Sequence, residues 1–103
     1  MSQVKFRTKY EGKPVEVVGG YDRPLDYHHL TIFDLDPEAE EETVWSCLDH
    51  EAFPFGMRTT RVAQEVLNKL GIEPPEGFWE QCERKLGNVL ITWDGESWSQ
   101  QEF

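Results

Sequence analysis

Val4-Lys5-Phe6-Arg7-Thr8-Lys9-Tyr10, then Glu11-Gly12-Lys13-Pro14, then Val15-Glu16-Val17-Val18: this opening stretch decides the fold class. Val4, Phe6, Thr8 and Tyr10 alternate with Lys5, Arg7 and Lys9, and a period of two is that of a half-buried strand with a basic outer face. The Glu11–Pro14 segment turns the chain, and Val15 to Val18 returns it as a second strand. Gly19-Gly20 frees the backbone ahead of a second turn, Tyr21-Asp22-Arg23-Pro24, where Pro24 holds Arg23 extended and Asp22 can accept locally.

Working outward, Tyr27 to Leu35 reads as a third strand. Leu30, Ile32, Phe33 and Leu35 place apolar groups on both of its faces, which predicts a central position in the sheet. Asp36 to Glu42 is a polar loop and Thr43 to Leu48 a fourth strand. The segment Asp49–Met57 is irregular. Val62, Val66, Leu67 and Leu70 fall on one helical stripe, with Thr59 or Thr60 at its N-cap and Gly71 at C′. Pro74-Pro75 separates this helix from a second, whose inner face is Phe78, Cys82 and Leu86 and which Gly87 closes. Val89, Ile91 and Trp93 alternate again, Asp94-Gly95 is a hairpin signal, and Trp98 lies on a short last strand. The order β-β-β-β-α-α-β-β predicts one α+β domain over residues 1–103, an antiparallel sheet of five to six strands with two helices packed on one face.

Composition narrows the function classes. The chain has 103 residues, with 20 acidic against 10 basic side chains and a formal charge of -10. Direct binding to nucleic acid is disfavoured, since phosphate contacts need cations. No run of about 18 apolar residues is present to span a membrane. The N-terminal Met1-Ser2-Gln3-Val4-Lys5 has no apolar leader region. Two cysteines, Cys47 and Cys82, do not make a disulfide framework, so both are expected as thiols in a cytoplasmic protein.

The charge is uneven. Residues 1–15 carry four basic and one acidic side chain, whereas residues 16–57 carry eleven acidic ones and Arg23 alone as a base. Asp34, Asp36, Glu38, Glu40, Glu41 and Glu42 lie within nine residues. A field of one sign steers a basic partner and speeds its association. The expected function is therefore that of a non-enzymatic binding protein or inhibitor, docking these six acids on a basic protein surface, with Tyr21, Arg23, Phe53 and Phe55 supplying specific contacts. Where that surface normally holds nucleic acid, the protein acts as its mimic. In size and charge, and in no motif, the chain is similar to small phage-encoded anti-CRISPR and anti-restriction proteins.

Two alternatives remain open at this point. If the hairpin folds with Asp36 opposite Glu42, the same register sets His28 opposite His50 with Cys47 nearby, a candidate metal or Cys–His catalytic group. His28 and His29 point to opposite faces of their strand, so they cannot easily share an ion. The chain could also be a self-associating subunit. No cofactor and no catalytic residue is assigned.

Overall fold

The computed structural model describes residues 1–47 and 56–102. Its strands are β1 (Ser2–Tyr10), β2 (Lys13–Asp22), β3 (Tyr27–Asp34), β4 (Thr43–Ser46), β5 (Val89–Trp93) and β6 (Trp98–Glu102), and its helices are α1 (Arg61–Leu70) and α2 (Phe78–Cys82). All six strands join one sheet in the order β4-β3-β2-β1-β5-β6. The α+β class and the element order follow the sequence reading.

The purely antiparallel sheet does not. β5 lies beside β1 and runs parallel to it, Ser2 opposite Val89 and Val4 opposite Ile91, so the sheet is mixed. The reason is geometric. Four strands in a meander leave the chain at the end of the sheet where β1 begins. The helical segment then carries it across to the far side of β1 without changing ends, so β5 must start where β1 starts. β3 is also not central: it is second from one edge, and β2 and β1 hold the middle.

The burial pattern makes one face of the sheet the core. Val4 and Phe6 of β1, Val15 and Val17 of β2, Leu30 and Ile32 of β3 and Ile91 of β5 are all buried, as alternation requires. On the other face Phe33 is half-buried, which is why β3 reads as apolar on both sides. β2 continues through Gly19-Gly20 rather than ending before them. Gly19 is needed because α2 comes so close there: a Cβ would stand 2.9 Å from the Cys82 Sγ and 3.1 Å from the Phe78 ring.

The helices are shorter than a two-helix layer on one face implies. α1 ends as the sequence predicts, with Gly71 left-handed at φ 73° and Ile72 N–H donating to the Leu67 carbonyl at 2.9 Å. Thr60 occupies its N-cap, but the hydroxyl makes no capping bond and donates to Glu83 Oε1 at 2.6 Å, tying the start of α1 to the end of α2. α2 covers only five residues and stops at Cys82, short of Leu86. Lys85 takes a positive φ of 52°, a conformation no helix continues through. Phe78 anchors α2 with its ring edge-on to Phe6 at 4.9 Å. Trp93 and Trp98 pair across the β5–β6 turn at 5.1 Å, the cross-strand contact expected there.

Candidate functional site

The six acids of the β3–β4 loop are gathered at one end of the sheet. The Asp34 N–H donates to the Glu42 carbonyl at 2.8 Å, so the loop is two residues longer than an Asp36–Glu42 closure would make it. Inside it Asp36 N–H donates to Asp34 Oδ1 and Glu38 N–H to Asp36 Oδ1, each at 2.9 Å. The two aspartates therefore shape the backbone through Asx-type turns. Glu38, Glu40, Glu41 and Glu42 are exposed.

The loop has neighbours that a linear reading misses. β1, β3 and β5 run in the same direction, so the turns that follow them leave the same end of the sheet. Those turns add Glu11, Asp94 and Glu96 to the six acids, with Lys9 and Lys13 flanking the first turn. Hairpin turns two strands apart are separated by about 10 Å, so the nine carboxylates form a row along this end. Among the described residues none of the nine enters an ion pair. The pairs present are Arg7–Glu16, Arg61–Glu65 and Lys85–Asp26. Backbone N–H groups of Ser97 and Glu96 hold the Asp94 carboxyl below its ordinary range.

Tyr21 and Arg23 lie elsewhere. Tyr21 lies near the end of β2 and Arg23 in the β2–β3 turn, which is separated from the acidic loop by the eight residues of β3, roughly 26 Å of strand. Tyr21 is a buried side chain rather than a surface contact. Its hydroxyl donates to Asp26 Oδ1, and its ring is tilted against that of His28 at 5.2 Å. The Lys85 Nζ sits 3.9 Å from the same Asp26 oxygen and 5.5 Å above the Tyr21 ring. The carboxylate raises the phenol above its usual value, while the phenol and then Lys85 hold the Asp26 carboxyl below its own. Arg23 is exposed and, among the described residues, in no ion pair; its guanidinium lies against Gly87. Phe53 and Phe55 lie outside the described residues.

The histidine register is also corrected. Ile32 stands opposite Trp45 and Phe33 opposite Thr43, so a bulge at this step shifts the pairing frame by one. His28 pairs its backbone with Met57 at 2.6 and 2.7 Å, and His50 lies outside the described residues. His28 is buried and its Nδ1 has no hydrogen-bond partner; burial pushes its pKa below the usual histidine value. His29 faces the other side, where its Nε2 lies 2.9 Å from the Ser2 carbonyl, which fixes that nitrogen as the donor. Cys47 and Cys82 are buried and not bridged to each other, and burial raises the Cys82 thiol far above its normal range. Among the described residues no three His, Cys, Asp or Glu side chains are placed to hold one metal ion.

No known protein family, curated protein sequence or solved structure matches this chain. Among the described residues no helix is long and apolar enough to cross a membrane. The reading of function rests on the site itself.

Proposed function

We propose that the protein is a small, non-enzymatic, cytoplasmic binding protein that docks its acidic end on a basic protein surface and competes there with nucleic acid. One observation carries this reading: nine carboxylates from three turns share one end of the sheet, and among the described residues none is tied to a lysine or arginine of its own chain. Carboxylates that serve only solubility gain from being interspersed with cations. A row of unpaired ones projects a field into solvent, where an approaching cationic surface meets it first. The loop is also ordered by its own backbone bonds, so little conformational entropy is lost when a partner arrives.

The specific contacts follow from the row. Glu38, Glu40, Glu41 and Glu42 present full carboxylates. Asp34 and Asp36 each lend one oxygen to the loop backbone and keep the other. Arg and Lys side chains that grip phosphates bidentately accept carboxylates in the same geometry.

Capture from native lysate at low salt, followed by elution with duplex DNA or with added salt, tests the reading. A basic nucleic-acid-handling protein should be retained and released by either eluent. Replacing the six loop acids by Asn and Gln should cut retention by about 10-fold or more with the fold intact. Equal retention by the neutralised chain would sink the electrostatic reading, and retention that resists DNA would sink the mimicry.

A further inference from the structure

The two edges of the sheet are not equivalent. β4 is four residues long, its pairing with β3 is broken by a bulge, and the acidic loop enters it directly. Bulges and charges are the devices by which edge strands resist pairing. β6 has neither. It pairs with β5 in five unbroken steps from Trp93–Trp98 to Val89–Glu102, and its sequence Trp98-Ser99-Gln100-Gln101-Glu102 contains no proline and no lysine. Among the described residues no strand pairs with its outer side.

The hydrogen-bond alternation of the hairpin says which groups are free. Asp94 N–H donates to the Ser97 carbonyl at 3.2 Å, so these residues form a hydrogen-bonded pair. Alternation then turns Ser99 and Gln101 toward β5 and leaves the N–H and C=O of Trp98, Gln100 and Glu102 pointing outward.

We infer that β6 is a self-association edge, at which two copies of this chain join β6 to β6 antiparallel, centred on Gln100, into one twelve-stranded sheet. This register engages all three outward residues of each copy and forms six backbone hydrogen bonds. It sets Gln100 against its twin, Trp98 against Glu102 and Ser99 against Gln101, so no charge faces its own copy.

Charge decides between the edges. Each copy carries -10, and antiparallel pairing through the four-residue β4 would bring the two acidic loops within a short strand's length of each other, roughly 13 Å. Pairing through β6 puts them at the two far ends, roughly 48 Å apart along the sheet, well beyond a Debye length of about 8 Å at physiological salt. A five-residue seam is small, so the dimer forms reversibly and its population depends on concentration.

Sedimentation equilibrium of the whole chain at physiological salt, from micromolar to near-millimolar loading, tests this. The mass should climb from 12.0 kDa toward twice that value, and the amides of Trp98, Gln100 and Glu102 should exchange more slowly as concentration rises. Gln100→Pro removes an outward N–H without removing a bond to β5, and should weaken association at least 10-fold. Gln100→Lys keeps every backbone donor but sets lysine against lysine, and should do the same. If the proline variant loses its fold by circular dichroism, the lysine variant alone decides. A chain that stays monomeric throughout, or a dimer that a folded variant leaves unchanged, would overturn the inference.

Discussion

The two ends of the sheet handle charge in opposite ways. At the acidic end nine carboxylates stand together, and among the described residues no cation of the chain pairs with them. At the other end the Asp26 carboxylate is matched: it accepts from Tyr21 and attracts Lys85, and Lys85 also covers the Tyr21 ring. Paired charges satisfy one another and project little. Unpaired ones repel across the loop, and that repulsion is retained in a fold with ten basic side chains available. The contrast locates the outward-facing chemistry at the acidic end and the inward-facing chemistry at the other.

Stability should divide the same way, and the largest effect tests this. Phe78 is fully buried among Phe6, Trp79 and the Gly19 backbone. Phe78→Ala should cost about 3–5 kcal/mol, the loss of a buried aromatic plus the cavity left behind. Replacing the six loop acids should change stability little, and in the stabilising direction, because like charges are removed. Urea denaturation of both variants checks the pair. A large loss on neutralising the loop would mean that those carboxylates hold the fold, and would erase the contrast.

The next effect is on pH. Burial lowers the folded pKa of His28, and of His29, below the usual histidine value. The unfolded chain therefore takes up protons first as the pH falls below about 6.5, and stability rises with pH wherever the unfolded state binds more protons. The contribution of the two histidines is complete above that point. It declines as the pH drops toward their folded values, by at most about 1.4 kcal/mol per pH unit for each. Asp26 and Asp94 have depressed folded values, so what they add is lost only below about pH 4. Thermal melts at about pH 7.5 and pH 5 should show the drop, and His28→Leu should flatten it. A slope unaffected by that substitution would remove His28 from the account.

How much of this was legible in the sequence depends on the range of the interaction. The strand alternation at Val4–Tyr10, the Gly71 cap and the Trp93–Trp98 pair are local, and each is where the residues put it. The β5–β1 pairing is set by where the helical segment emerges, which no residue of β5 encodes. The histidine register failed at the loop, which closes at Asp34–Glu42 rather than Asp36–Glu42, and the bulge then moved the frame by one step, neither of which a strand pattern marks. The six acids were visible as a run. The three that join them were hidden only because turns 1, 3 and 5 were not followed in space: with β5 parallel to β1, every second turn reaches the same end. Tyr21 read as a surface aromatic because it flanks a turn. It is instead the last core-facing residue of β2, in register with His28.

The smallest effect probes the matched end directly. If the Asp26 carboxylate is what raises the Tyr21 phenol, Asp26→Asn should lower the pH at which that phenol ionises, because the amide accepts the phenol's proton more weakly and carries no charge to oppose the phenolate. Ultraviolet difference spectra over alkaline pH, compared between Asp26→Asn and Tyr21→Phe, isolate the Tyr21 transition. The same change should leave retention on a basic partner as it was, since Asp26 belongs to the matched pair and stands a strand's length from the acidic row. Weaker retention in Asp26→Asn would extend the docking surface around the molecule. A phenol that titrates as before would leave burial, the next-largest cause, to account for its position.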